Sequence, residues 1–381
     1  MTRVAYGRNE RGFFLVSCFG MMVMLTMLGS VIMSRTAHEA QMGRWSTDNN
    51  QSVALAEAAV DATISQMRSG DFNGLLSVPI GDGTMASTVS APGAPLQFMI
   101  TGQGVSGGSA LAVESTVQLT PHSVFQFAVF GNDGLVVDGN ITTDSFDSRD
   151  GAYDALTAGD HGDIGTNSTA AGGIVVDGGI VVNGQVAVGP DVADPSSVVD
   201  ANGGSYIITG SPQFVSQPDT LLTPAVVVPA IPCPSLTLGG GVTHTLDTAV
   251  GIYCFDQLTL SGGATLTANG QVKVYVTGEF KATGNTLVGV PSNPANFVML
   301  LKTGISAKID NGFGGTTQFY GGIYAPDAHI DINGNAEIFG SVIAGTAEVS
   351  GDVQVHYDEA LGDLTAPVGL YKAKVLSWRE P

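Results

Sequence analysis

The hydrophobic pattern changes character several times along the chain. From Phe13 to Met33 no charged residue interrupts an apolar run, and a helix needs about 20 such residues to cross a bilayer. Arg3, Arg8 and Arg11 precede it with only Glu10 against them. That bias predicts a cytoplasmic N-terminus with everything after Met33 on the other side. A secretory signal would have a shorter apolar core, roughly 7–15 residues, ending at a small-residue cleavage site. Here no Ala-x-Ala follows, and Ser34–Glu39 is polar and compatible with helix, so a retained helix is the preferred reading over a removed signal. The pattern from Ser34 to Arg68 continues the helix, with Leu55, Ala58, Ala59, Ala62 and Met67 sharing a face. Ser69-Gly70 supplies a stop. Unbroken from Phe13 to Arg68, such a helix is about 80 Å long at 1.5 Å per residue. Gly43 and Asp48-Asn49-Asn50 are expected to loosen its middle.

Residues 71–120 alternate apolar and polar in two runs, 96–102 and 110–120, on either side of a glycine-rich turn, which is a hairpin signal. Pro121 ends this unit. From about 122 to 360 short triplets of β-formers recur between glycines and asparagines. Ile174-Val-Val, Ile180-Val-Val and Val186-Ala-Val follow at a step of six, with looser copies from Leu258 to Val276 and from His329 to Val355. Strands this short cannot bury a face alone. Stacked in coils they share one core, the logic of a β-solenoid, whereas a sandwich wants longer strands with turns every 8–12 residues. Seven prolines between 195 and 234 break the pattern, so 191–235 reads as a long surface excursion held by Cys233. Tyr371 to Pro381 reads as a terminal strand or cap.

Composition narrows this picture. Only 13% of the 381 residues are charged, and the net charge is −20, so the chain is too hydrophobic for disorder. Between Arg149 and Lys273 there is no lysine or arginine. Such a surface cannot neutralise phosphates, which excludes nucleic acid as an ectodomain partner. Cys18 lies inside the apolar run, where it is a packing residue. Cys233 and Cys254 fall where disulfides persist. Pairing them closes a loop of about 20 residues, worth roughly 3 kcal/mol in the chain-entropy model. No Cys-x-x-Cys or Cys/His cluster points to zinc.

The junction Arg8-Asn-Glu-Arg-Gly12, followed directly by Phe13 and the apolar helix, resembles the class III leader of type IV prepilins and type II secretion pseudopilins. Gln51-Ser-Val-Ala-Leu-Ala-Glu-Ala-Ala resembles the corresponding helix of PilX-like minor pilins. The resemblance implies a prepilin peptidase cutting after Gly12 and methylation of Phe13. It also implies assembly with other pilins or pseudopilins through the N-terminal helix, and residence in a bacterial inner membrane with a periplasmic ectodomain. The fifth mature residue, usually glutamate in major pilins, is Ser17, and this departure favours a minor or tip-associated subunit. The expected organisation is mainly β: a leader (1–12), a transmembrane and stalk helix (13–70), a small pilin-like β unit (71–120), a β-solenoid (121–361) and a C-terminal strand or cap (362–381).

Candidate chemistry is sparse. Asp138, Asp144, Asp147, Asp150 and Asp154 form the densest acidic cluster. The spacing around Asp147 loosely suggests a calcium loop, but lacks the glutamate an EF-hand needs. Aspartates bonding their own turns are commoner, so no cofactor is expected and calcium is the one candidate ion. His356-Tyr-Asp-Glu has no nucleophile or second histidine near it in sequence and reads as a cap on the last coil. Gly172-Gly173 and Gly239-Gly240-Gly241 lack a P-loop lysine and read as solenoid corners. The expected role is structural and not enzymatic. The competing class is an anchored solenoid that binds or cleaves polysaccharide, which a groove with carboxylates or stacked aromatics would favour.

Overall fold

The computed structural model describes residues 10–68, 70–91, 94–302, 310–314, 317–364 and 370–379. It divides into two compact units, Met1–Leu119 with Ala373–Pro381, and Thr120–Lys372.

In the first unit one helix runs unbroken from Glu10 to Arg68, about 88 Å at 1.5 Å per residue. It passes through Gly43 and Asp48-Asn49-Asn50 without a break. The polar residues there hold the hairpin instead: Asn49 Oδ1 accepts from the Ser109 hydroxyl at 2.8 Å, and Gln51 Oε1 from the Ser106 hydroxyl at 2.9 Å. The buried face is Ser52, Leu55, Ala56, Ala59, Val60, Thr63 and Met67. Ala58, expected on it, is exposed. The face repeats at three and four residues, as a helix packed along one stripe requires.

Against this stripe lies an antiparallel sheet of five strands ordered 78–80, 83–90, 97–106, 109–122 and 370–379. Gly107 and Gly108, both at positive φ, form the two-residue turn that suits a right-twisted hairpin. The terminal strand Leu370–Arg379 joins this small sheet beside 109–122, and the Arg379 Nε donates to Glu114 Oε2 at 2.8 Å. Of the expected strand or cap, this is a strand, at the edge of the small sheet.

Helix and sheet approach so closely that side chains are excluded. A Cβ at Gly104 would stand 2.0 Å from the Ser52 carbonyl oxygen, and one at Gly102 would stand 2.2 Å from that of Ala56. Gly104→Ala is expected to cost about 2 kcal/mol, since the backbone must move apart. Gly43→Ala, with open space around it, should stabilise by up to about 1 kcal/mol through helix propensity. Hydrogen exchange across 51–68 in both variants reads the two opposite signs.

In the second unit all strands of one sheet of nineteen are parallel where they pair. Three ladders run through it. The six-residue step seen in the sequence moves the chain from one ladder to the next: 174–176 lies in the first, 179–182 in the second and 186–188 in the third. Inward residues of all three, among them Leu135, Ile141, Val129, Leu266, Phe319 and Ile338, form one continuous core.

The order of strands along a ladder is not the order of the chain. In the third ladder, 129–131 pairs with 164–166, which pairs with 186–188, which pairs with 214–216. The chain then reappears at the opposite end, where 236–238 pairs with 258–260 in the first ladder, and the third ladder steps back from 252–255 through 272–276, 297–301 and 322–325 to 342–344. That last strand docks on the other side of 129–131. First and last rungs are thus neighbours inside the stack.

Residues 217–235 make the crossing. Ends separated by eight strand spacings of about 4.8 Å are roughly 38 Å apart, and this segment can reach about 60 Å when extended. Its prolines keep it extended and need no ladder partner. Leu221 and Val226 bury against Phe130, Ala187, Val298, Leu300, Tyr324 and Ile343, the outward residues of the third ladder. This explains why 297–301 is buried on both faces. Tyr324 donates to the Pro224 carbonyl at 2.6 Å, and the Asn167 amide both donates to and accepts from Leu221. The expected excursion over 191–235 is shorter than the proline pattern suggests, because 199–200, 205–208 and 214–216 remain in the ladders. Cys233 is bonded to Cys254, fastening the far end of the strap.

Candidate functional sites

The membrane-length segment comes first. Leu15 to Met33 projects apolar side chains with nothing packed on them; Phe19, Met24 and Met33 are 69%, 68% and 76% exposed. This is the one stretch among the described residues long and apolar enough to cross a bilayer. Gly12 and Phe13 already lie within the helix, which begins at Glu10.

A second site lies where the last rung meets the first. His356 is the register partner of Asp144, and both point outward from the second ladder. The loop after Phe146 folds back over them. His356 Nδ1 meets Asp144 Oδ1 at 2.6 Å, and the Tyr153 hydroxyl donates to Asp144 Oδ2 at 2.7 Å. The Tyr153 ring lies over the imidazole, centroids 3.8 Å apart, and Phe339 packs against both, 4.9 Å from the imidazole and 5.5 Å from Tyr153. Burial first and the hydrogen bond to Asp144 second push the Tyr153 phenol well up, so it stays a donor. His356 is 3% exposed. Its Nε2 has no hydrogen-bond partner and stands 3.7 Å from Glu337 Oε1. No serine, threonine or cysteine side chain takes part in these contacts. The arrangement does what a buried, bonded pair does: it fixes one register between rungs that are some 210 residues apart in the chain. His356 therefore joins the middle of the stack and does not cap its end.

Beside it runs a shallow groove of about 540 Å³, lined by Thr265, Asn285, Leu287, Gln318, Asn335 and Glu337. Gln318 Nε2 donates to Glu337 Oε2 at 2.8 Å. On the neighbouring outward row Tyr320 stacks flat on Phe339, centroids 4.4 Å and planes 2° apart. Sequence reading missed this groove, because its residues lie on separate rungs.

A smaller cleft of about 290 Å³ is lined by Gln126, His161, Asp163, Tyr357 and Glu359. Glu359 Oε1 accepts from the Ser145 hydroxyl and meets His161 Nδ1, both at 2.9 Å. The carboxylate raises the His161 pKa, chiefly by that hydrogen bond. Burial raises Asp163.

The five aspartates singled out in the sequence go separate ways. Asp138 is exposed at a turn. Asp144 belongs to the His356 pair. Asp147 is held by Arg149, whose hydrogen bond keeps its carboxyl below the usual range. Asp150 is exposed, and Asp154 accepts from the Leu156 amide in its own turn. Among the described residues no group of three or more His, Cys, Asp or Glu is placed to hold a metal ion.

Comparison with known proteins gives little of this. A family model described as a domain of unknown function, DUF7305, matches residues 234–364, about a third of the chain. No curated protein matches. The chain is similar in structure to the competence-associated pilin ComZ of Thermus thermophilus, at 12% identity over 88% of this chain and 98% of that one, with a TM-score of 0.20. It is also similar to the DUF3494 domain of a Shewanella frigidimarina ice-binding protein, at 15% identity over 61% and 94% of the two chains, with a TM-score of 0.25.

Proposed function

We propose that the chain is a pilin-like structural subunit, a minor or tip-associated member of a type IV pilus or a related secretion pseudopilus. One observation carries the reading. The apolar N-terminal part of a 59-residue helix has no packing partner among the described residues, while one face of the stretch from Ser52 to Met67 is buried on the hairpin. Such a surface has to be covered by lipid or by the helices of other subunits. In this reading a prepilin peptidase cuts after Gly12, Phe13 is methylated, and the helix passes from the inner membrane into a filament. The three ladders form a β-solenoid head displayed on the far side of the membrane. The head works by contact and has no catalytic role.

The intact mass and N-terminal residue of the protein taken from its native membrane test this. An N-methylated Phe13 is the expected result, and Gly12→Arg should abolish processing. Met1 retained in the wild type, or cleavage beyond Met33, would remove the filament reading.

A further inference from the structure

The groove across the second ladder belongs to the other unit from the helix that carries the filament reading. Thr265, Leu287, Gln318 and Glu337 are successive register partners, so the groove runs along the stack and perpendicular to the strands. Three spacings of about 4.8 Å give it roughly 14 Å of length. It is open along its run, and Thr243, the partner of Thr265 on the next rung, extends the row. We propose that this groove binds an extended, uncharged polysaccharide lying along the stack.

The chemistry of the lining selects that class. Each strand in the floor has a neighbour on both sides, so its backbone groups are already paired, and a peptide would find no ladder to extend. What remains are side-chain amides and hydroxyls from Thr265, Asn285, Gln318 and Asn335, which donate to and accept from sugar hydroxyls. Glu337 Oε2 accepts from Gln318, and its Oε1, which faces His356 Nε2 at 3.7 Å without a hydrogen bond, has lone pairs to accept from a ligand hydroxyl. Leu287 offers an apolar patch to a pyranose face. Tyr320, backed by Phe339, stands on the adjoining row as a flat ring on which a sugar can stack. An extended pyranoside chain advances per ring by nearly the rung spacing, so successive sugars meet successive rungs. A polyanion would meet the Glu337 carboxylate on a protein with a net charge of −20, which disfavours it. The inference does not need the filament reading, and the N-terminal mass leaves it untouched.

The test uses the full chain in lipid nanodiscs, free of glycoside detergent, titrated calorimetrically with cellohexaose, chitohexaose and maltohexaose, with hexagalacturonate as the charged probe. At least one neutral hexasaccharide should bind. Gln318→Ala should weaken it about tenfold, ~1.4 kcal/mol, and Leu287→Trp should block it, with thermal unfolding unchanged in both. The proposal is overturned if no neutral hexasaccharide binds, if both variants bind as the wild type does, or if hexagalacturonate binds more tightly.

Discussion

Asp144→Ala is expected to lower the local stability of strands 140–146 and 352–358 by about 3 kcal/mol. The carboxylate serves the buried His356 Nδ1 and the half-buried Tyr153 hydroxyl. Each loses its acceptor at a cost of roughly 1–3 kcal/mol when buried. His356 is the harder case, because its other nitrogen already lacks a partner. Asp144→Asn keeps one acceptor oxygen and should cost less. The decisive comparison is the double variant Asp144→Ala with His356→Phe, which removes the stranded polar group and fills its volume. It should recover at least half of the loss, since replacing both partners of a buried polar pair by apolar groups is far milder than removing one. Native-state hydrogen exchange of the two strands reads these differences directly. A loss under about 0.5 kcal/mol in Asp144→Ala would mean that the pair does not hold the join between first and last rungs.

The second large effect concerns the strap. Replacing Cys233 and Cys254 by serine opens a loop of sequence separation 21, which the chain-entropy model values at about 3 kcal/mol. The effect should be uneven. Residues 224–235 should lose protection first, since their remaining attachments beyond Tyr324 and Val226 are few. The segment around Leu221 is still held by Asn167 and Gln217 and should keep more of its protection. The five-stranded sheet belongs to the other unit and should exchange as before. Dithiothreitol acting on the wild type should reproduce the pattern of the double serine variant. Uniform loss across both units would contradict a local staple.

Some of the fold was legible in the sequence because local physics fixes it. An uncharged run of membrane length, an alanine-rich amphipathic stretch and two alternating runs around glycines each declare their element without reference to distant residues. Even so, the exposed side of Ala58 and the unbroken passage through Gly43 and Asn49 depended on where the hairpin lies. The aspartate cluster shows the opposite failure. Proximity in sequence suggested one site, but turns send neighbouring side chains in different directions: Asp144 meets His356, Asp147 meets Arg149, Asp154 bonds its own turn, and Asp138 and Asp150 are exposed.

By itself the sequence determined the membrane-length helix with its basic flank, the β-rich body built of short strands at a six-residue step, and a net charge of −20. Tertiary structure alone decided that the first and last rungs are neighbours, that residues 217–235 cross the stack as a strap, that the terminal strand completes the first unit's sheet, and that Gln318 and Glu337 share a groove. The reason is one of range. Short β triplets are nearly interchangeable along a parallel ladder, so the pattern says that strands will stack but not in which order. Order is set by contacts between residues a hundred or more positions apart, such as Asp144 with His356 and Pro224 with Tyr324, and no periodicity records them.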